Sequence, residues 1–187
     1  ATHLSEAGYR VIVLEEGPYY RPEQYGSFRP SETIRRMWRE SGLLAAFGVG
    51  QTPVIGIAAG RCVGGSSVMT GGVCFRIPSQ VHWHWEQELK LSQLAERALE
   101  DAYLDVEKRI RVTEVPEEMR SYATRRLVSG AESLGIAMKP AHRNTVDCQG
   151  NGRCNMGCPS QKKLSVDLSY LPRAIATGAR LVSDALV

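Results

Sequence analysis

A glycine-rich stretch offers the first chemistry in this sequence, because it leaves backbone groups open to a ligand. Residues 60–67 read GRCVGGSS, and the absence of side chains at Gly64 and Gly65 lets N–H groups approach an anion or a flat ring closely. Ser66 and Ser67 are expected to cap a following helix whose positive end would face a phosphate. Glycine richness alone is also typical of a mobile surface loop, so this interpretation needs a second feature.

That second feature is an acid, Glu15, at the end of a short apolar run. Residues 11–14 read VIVL without alternation, which predicts a parallel strand covered on both faces. Residues 1–7 before it read as the tail of a helix that Gly8 closes. Dinucleotide-binding folds place an acid at this end of a strand, where it accepts the ribose hydroxyls of an adenosine. A solvated surface position is the equally simple alternative for Glu15 alone.

Three cysteines close together form another candidate site. Cys148, Cys154 and Cys158 have the spacing C-x5-C-x3-C in a loop rich in Gly and Asn. Buried thiols that form no metal site, or one disulfide that shapes the loop, are the simplest interpretation. An iron–sulfur cluster is the first alternative, and a zinc site with His142 as its fourth ligand is the second.

The elements that must position these residues follow the order of an α/β domain with an insertion. The predicted elements are a loop at 19–30, a helix at 31–46, a β-like stretch at 51–59, helices at 81–91, 92–110 and 117–134, a strand at 136–139, a loop at 144–163, a helix at 171–176 and a strand at 179–182. Trp83 and Trp85 alternate with His82 and His84, and core packing is a simpler interpretation of these tryptophans than an aromatic substrate wall.

The composition excludes several classes of function. The 187 residues are 43% hydrophobic and 23% charged, and a net charge of +3 with scattered Lys and Arg predicts no nucleic-acid partner. No apolar run reaches the roughly 18 residues that a membrane-spanning helix needs. An odd number of cysteines favours a reducing compartment, so we expect a cytoplasmic protein in which Cys62 and Cys74 are small buried apolar side chains.

Four stretches of the chain resemble the glucose-methanol-choline (GMC) oxidoreductase family. They read VIVLEEG from residue 11, GRCVGGSS from 60, CFRIPSQVHWHW from 74 and KLSVDLSYLPRAIATGARLV from 163, so the resemblance covers nearly the whole chain. The stretch GRCNMGCP at 152–159 is similar to the branch of the family that oxidises long-chain alcohols and sterols.

The resemblance implies an α/β fold, namely a partial Rossmann-type FAD/NAD(P)-binding fold with inserted helices, lacking its first strand and its C-terminal half. The expected segments are the second half of a first βαβ unit at 1–20, a flavin loop at 56–76, a helical insertion at 81–135, and a cysteine-rich loop, short helix and return strand at 144–187. In such an enzyme a hydride passes from the carbinol carbon of an alcohol to flavin N5.

The family's catalytic His lies in its C-terminal half, so we expect no catalytic residue here and a fragment that is inactive alone and holds FAD poorly. A nicotinamide-dependent dehydrogenase and an iron–sulfur electron-transfer module are the alternatives. The first does not need the glycine loop, and the second does not need Glu15 at the end of a strand.

The resemblance also assigns residues to the cofactor. Glu15 would bind the ribose of FAD, and the loop residues that would lie against the diphosphate and the flavin are Gly60, Arg61, Gly64, Gly65, Ser66, Ser67, Thr70, Gly71 and Gly72. Thr70 stands where family members usually carry Asn, so one side-chain contact differs. Met69 stands where some members attach FAD through a His, so we expect noncovalent FAD. The expected substrate is an alcohol, such as a long-chain alcohol or a sterol.

Overall fold

Short helices and short strands alternate along residues 1–187, all of which the computed structural model describes. The helices are α1 (Thr2–Glu6), α2 (Pro22–Ser27), α3 (Pro30–Met37), α4 (Ser66–Met69), α5 (Ser79–Trp83), α6 (Glu96–Arg109), α7 (Tyr122–Ser133) and α8 (Tyr170–Ala176). The strands are β1 (Ile12–Leu14), β2 (Ala45–Ala46), β3 (Ile55–Gly56), β4 (Thr113–Glu114), β5 (His142–Arg143) and β6 (Arg180–Val182). None of the helices has the length and apolar character needed to cross a membrane.

The chain divides into two units. Unit 1 comprises Ala1–Gly72 and Val146–Val187, and unit 2 comprises Val73–Thr145. Unit 1 contains a parallel pair of strands, β1 and β6, whereas β2–β3 in unit 1 and β4–β5 in unit 2 are antiparallel pairs. This mixture of helices and strands agrees with the predicted α/β class and with a partial Rossmann-like domain.

The parallel pair confirms the predicted helix–strand start and the predicted final strand. Ile12 pairs with Arg180 and Leu14 with Val182. Helix α1 contacts α8, where the Thr2 hydroxyl donates a hydrogen bond of 2.9 Å to the carbonyl of Tyr170. The expectation that β1 is covered on both faces is wrong for these residues, because Ile12 is 60% and Leu14 is 51% exposed. Strand β6 is the only strand that pairs with β1 in residues 1–187, so neither outer edge of this pair is bonded to a further strand.

The predicted loop at 19–30 is wrong, because this stretch contains α2 and the first residue of α3. Pro22 and Pro30 each occupy the first turn of a helix, where the missing N–H of proline costs nothing. The Gln24 side chain accepts a 2.8 Å hydrogen bond from the backbone N–H of Arg21. Glu32 does the same for Arg29, and this hydrogen bond lowers the pKa of Glu32. Both helices therefore have side-chain support at their starts.

The predicted helix at 31–46 ends early, at Met37. Trp38 is extended and pairs with Gly60 in an antiparallel bridge, and the flanking backbone makes hydrogen bonds of 2.9 Å from Arg39 to Ala59 and 2.7 Å from Arg61 to Met37. The chain therefore leaves the helix to hold the start of the glycine-rich stretch. The rest of the predicted helix contains a 3-10 turn at Arg39–Gly42 and then β2, and the predicted β-like stretch at 51–59 contains β3.

The core of unit 1 lies beneath this stretch. Its buried members are Tyr25, Met37, Cys62, Val68 and Met69, with Tyr20, Phe28 and Trp38 packed against them. Burial of one large apolar side chain stabilises a fold by about 1.5–3 kcal/mol, so a few residues suffice to fix this region. The full burial of Cys62 confirms its prediction as a small apolar side chain, whereas Cys74 in unit 2 is only half-buried.

Unit 2 contains α5, α6, α7 and the β4–β5 pair, and none of its residues is fully buried. The predicted helices at 92–110 and 117–134 are present as α6 and α7, each preceded by a 3-10 turn. The predicted strand at 136–139 is wrong, because pairing begins only where the N–H of Val115 meets the carbonyl of Ala141, beyond Pro140. Core packing is also wrong for Trp83, which is 57% exposed.

Candidate functional site

The acid predicted to bind a ligand lies where β1 ends. The backbone N–H of Glu15 donates a 3.0 Å hydrogen bond to the carbonyl of Val182, and the carbonyl of Glu15 accepts a 3.0 Å hydrogen bond from the N–H of Ala185. The carboxylate oxygen Oε1 accepts a 2.9 Å hydrogen bond from the N–H of Gly17. The half-buried carboxylate is therefore held at the carboxyl end of the parallel pair, and its other oxygen remains available to a ligand.

Gly17 brings this acid next to the glycine-rich stretch. A Cβ atom on Gly17 would lie 2.3 Å from the carbonyl oxygen of Arg61 and 2.6 Å from the nitrogen of Cys62, so only glycine allows this approach. The N–H of Val63 donates a 3.1 Å hydrogen bond to the carbonyl of Pro18. Burial, together with the charge of Glu15, raises the pKa of the Cys62 thiol to about 12. The acid and the stretch therefore lie close together in unit 1.

The two central glycines of the stretch have different environments. Gly64, with φ of +92°, packs inward: a Cβ atom there would lie 2.7 Å from Val68 Cγ2 and 3.0 Å from Asp167 Cβ. Gly65, with φ of +55°, has no other atom within 4 Å of such a position. The sequence interpretation gave both glycines the same role of leaving room for a ligand. In the structure only Gly65 faces open space, and Gly64 is bare because the protein itself fills the room.

The two serines hold the stretch together and do not cap α4. Gly65 is the residue that precedes the helix, and Ser66 and Ser67 lie within it. Ser66 Oγ accepts a 3.0 Å hydrogen bond from the N–H of Gly60, and Ser67 Oγ donates one of 2.6 Å to the carbonyl of Gly64. Ser67 Oγ also accepts a 2.9 Å hydrogen bond from the N–H of Val166. The predicted serine caps are therefore wrong, because neither hydroxyl bonds to the first N–H groups of α4. The first N–H groups of any helix still lack partners inside that helix.

The remaining predicted residues continue from α4 or flank it. Arg61 is exposed, with Nε 3.8 Å from a carboxylate oxygen of Glu16 that also lies 2.8 Å from Arg39. Thr70 is exposed, and its hydroxyl donates a 3.3 Å hydrogen bond to the carbonyl of Ser67. Gly71 is half-buried and Gly72 is buried. All the residues predicted to bind the cofactor therefore belong to unit 1.

A buried lysine that the sequence interpretation missed supports the end of α4. Lys163 is 1% exposed, and its Nζ donates hydrogen bonds to the carbonyls of Val68 (2.7 Å), Thr70 (2.6 Å) and Cys154 (2.8 Å). Three acceptors match the three donors of an ammonium group, which is rarely buried without such partners. Lys163 therefore joins the cysteine-rich loop to the last turn of α4. A single lysine gives no sequence signal of burial.

A buried carboxylate, also missed, lies behind Gly64. Asp167 accepts hydrogen bonds from the hydroxyls of Ser165 and Tyr25, the latter over 3.3 Å. Burial raises the pKa of Asp167, although these hydrogen bonds act in the opposite direction. Burial, followed by the charge of Asp167, raises the pKa of the Tyr25 phenol. The back of the stretch is therefore a buried polar cluster, and Asp167 packs against Gly64.

The cysteines make no disulfide. Burial alone would raise the pKa of Cys158, but hydrogen bonds from Ser160 and the N–H groups of Lys163 and Lys162 outweigh it and lower that pKa. No group of three or more His, Cys, Asp or Glu side chains is arranged to hold a metal ion. The cluster and zinc hypotheses for Cys148, Cys154 and Cys158 therefore find no support in the side-chain geometry.

Comparisons with known proteins connect this geometry to a family. A family model described as GMC oxidoreductase matches residues 27–187. A Mycobacterium tuberculosis protein named an uncharacterized GMC-type oxidoreductase is 37% identical over 187 residues, which cover 100% of this chain and 29% of that protein. A Sinorhizobium fredii protein with the same description is 32% identical over 180 residues, covering 96% of this chain and 35% of that protein.

A more distant relative has a named activity. The long-chain-alcohol oxidase FAO3 of Arabidopsis thaliana is 28% identical over 183 residues, covering 98% of this chain and 24% of that protein. The chain thus spans about a third or less of the length of these relatives.

Proposed function

Because the chain belongs to the GMC oxidoreductase family, we propose that it is the FAD-binding part of an enzyme that oxidises alcohol groups. The N-terminal domain whose family model matches residues 27–187 is the FAD-binding domain in this family. The proposal gives the glycine-rich stretch and Glu15 one shared ligand. It also gives the segments 1–20, 56–76, 81–135 and 144–187 the roles that the sequence resemblance implies.

One observation carries the proposal: Gly17 lets the acid and the glycine-rich stretch approach each other in one unit. Oε1 of Glu15 is occupied by Gly17, and Oε2 is left to accept ribose hydroxyls. Gly65 has a backbone conformation that favours glycine, and a side chain there would fill open space. A diphosphate and a flat ring need such bare backbone, so these residues fit FAD.

The resemblance gives each site residue a task in this proposal. Glu15 would bind the ribose, and the backbone at Gly65, Ser66 and Ser67 would lie against the diphosphate, with Gly60, Arg61 and Gly64 shaping the stretch. Thr70, Gly71 and Gly72 would lie nearest the isoalloxazine. When bound, FAD supplies the electron sink that accepts the hydride. Met69 is buried in the core, and its thioether cannot form the bond by which a His attaches FAD in some family members, so FAD would be held noncovalently.

Lys163 and Asp167 act on this arrangement from behind. The ammonium group of Lys163 fixes the carbonyls of Val68 and Thr70, and so the position of the residues that follow α4. Asp167 fills the space beside Gly64. These contacts keep the backbone preorganised, so that binding FAD requires little rearrangement.

The substrate in this proposal is an alcohol with a long hydrocarbon chain or a sterol skeleton. The name of the Arabidopsis relative, a long-chain-alcohol oxidase, supports the first of these. The sequence resemblance supports both.

The test uses the full-length enzyme that contains this chain, purified as it exists in the cell. We expect the protein to show the visible absorption of a flavin, and we expect denaturation to release that flavin, as for noncovalent FAD. The absorption should bleach when a long-chain primary alcohol is added without oxygen. The alkane of equal length is the control and should leave the spectrum unchanged. A colourless protein that requires NAD would overturn the cofactor, and a flavin that no alcohol reduces would overturn the substrate class. Iron and broad absorption beyond the flavin bands would instead support the cluster hypothesis.

A further inference from the structure

Unit 2 contains a cavity of about 360 Å³, far along the chain from the glycine-rich stretch. Its apolar wall is formed by Val115, Met119, Val128, Met138, Pro140 and Ala141. Residues 124, 128 and 132 of α7 line it at intervals of four, so one face of that helix forms one side. The volume lies in the range of small-molecule pockets, roughly 300–1,000 Å³.

An unpaired arginine stands at the edge of this apolar space. Arg120 lines the cavity, and its Nε is buried without a hydrogen-bond partner. No ion pair of the structure includes Arg120, although Glu132 and Lys139 line the same cavity. Two positive side chains and one negative side chain leave the wall with a net charge of +1. The other two nitrogens of this guanidinium are not buried and have no acceptor either, so an anion in the cavity can accept hydrogen bonds from them.

We propose that this cavity binds an amphipathic carboxylate, with its hydrocarbon chain against the apolar wall and its carboxylate on Arg120. The planar guanidinium forms paired hydrogen bonds with a carboxylate, which a lysine ammonium cannot do. A single negative charge on the ligand balances the net charge of the wall. A phosphate ester carries about two negative charges, and these would lie next to Glu132. Hydrocarbon against Val128 and Met138 supplies the hydrophobic part of the binding free energy.

The site does not depend on the proposed flavin chemistry. None of the residues that line it belongs to unit 1, and none is a predicted cofactor residue. Binding of the carboxylate can therefore be measured by titration calorimetry whether or not flavin is reduced, and failure of one proposal leaves the other standing.

The experiment titrates octanoate, its neutral amide octanamide and acetate into the full-length protein and into matched variants. Octanoate should bind, acetate should not bind measurably, and octanamide should bind at least about tenfold more weakly than octanoate, since it lacks the charge. Arg120→Gln should weaken octanoate at least about tenfold and leave the affinity for octanamide unchanged. Because Nε of Arg120 has no partner in the protein, this substitution removes no internal hydrogen bond of that atom.

Two further variants make the result specific. Arg126→Gln removes an exposed arginine of α7 that does not line the cavity, and its affinity for octanoate should match that of the unchanged protein. Val128→Phe should fill the cavity and abolish binding of both octanoate and octanamide. Equal loss in Arg120→Gln and Arg126→Gln, or binding of octanamide as tight as octanoate, would overturn the proposal, as would octanoate binding that survives Val128→Phe.

Discussion

Unit 1 and unit 2 are stabilised in different ways. Unit 1 buries a cluster of apolar side chains together with the charged groups of Lys163 and Asp167. Unit 2 has no fully buried residue, and the guanidinium of Arg76 instead forms surface ion pairs of 2.7 and 2.8 Å with Glu100 and Glu107. The proposed cofactor residues all belong to the unit with the core. The comparison indicates that the backbone of the glycine-rich stretch is held in place by buried side chains, whereas the helices of unit 2 are held by partly buried contacts and surface ion pairs.

Glycine substitutions should show the largest difference in stability effects between the two units. Gly17→Ala should lower the free energy of unfolding by about 4 kcal/mol, because the new Cβ meets backbone atoms of Arg61 and Cys62 that cannot move independently. Gly130→Ala in α7 meets nothing and should raise that free energy by about 0.5–1 kcal/mol through helix propensity. Urea unfolding measures both variants. Equal effects would contradict the distinction between the units.

The buried ammonium group should have the next largest effect. Lys163→Met keeps the length of the side chain but leaves three carbonyls without their donor, so we expect a loss of about 3 kcal/mol. Lys162→Met is the matched control, because the neighbouring lysine is only half-buried, and it should lose less than about 0.5 kcal/mol. If both variants unfold at the same urea concentration, the bonds from Lys163 do not support α4.

Truncation of apolar side chains should show the same contrast less strongly. Met37→Ala removes a side chain that is 1% exposed, and should cost about 2–3 kcal/mol. Leu104→Ala in α6 removes one that is 52% exposed, and should cost less than about 1 kcal/mol. Thermal or urea unfolding gives both numbers. A cost for Leu104→Ala as large as that for Met37→Ala would indicate a core in unit 2.

The smallest expected effect is a pH dependence that comes from Asp167. Its pKa is raised by burial, so the folded protein binds this proton more tightly than the unfolded chain does. The free energy of unfolding should therefore fall as pH rises from about 4, the ordinary range of Asp, through the raised pKa. Asp167→Asn should make this part of the pH profile flatter.

The control for that profile is Asp147→Asn, which changes an exposed aspartate of the same unit and should leave the slope unchanged. A slope that is the same in Asp167→Asn and in the unchanged protein would show that another group causes it.

Local patterns were sufficient for the elements that an apolar run or a helical period defines by itself. The run VIVL, the helix at 171–176 and the final strand were all predicted, since apolar runs and helix periodicity carry that information. The pairing of Trp38 with Gly60 was not predicted, because a bridge between distant residues leaves no periodic signal. The proline-started helix α2 was taken for a loop because the same residues also occur in turns.

The candidate site shows the same division. Glycines and an acid were identified as a motif, since their types alone suggest bare backbone beside a charge. Gly64 has no room for a side chain because Asp167 packs against it, whereas a side chain at Gly65 would enter open space. This difference depends on tertiary packing, which composition does not encode. The buried partners Lys163 and Asp167 were missed for the same reason, because Lys and Asp are mostly exposed residues.

The most direct test of the central claim is the affinity of the full-length protein for FAD after Glu15→Gln, compared with Glu16→Gln. We expect Glu15→Gln to weaken the binding of FAD at least about tenfold, since it removes a charged acceptor for the ribose hydroxyls. Glu16→Gln should change the affinity less than about threefold, because the Glu16 carboxylate already pairs with Arg39. Equal affinities for FAD in the two variants and in the unchanged protein would contradict the claim that Glu15 and the glycine-rich stretch share one ligand.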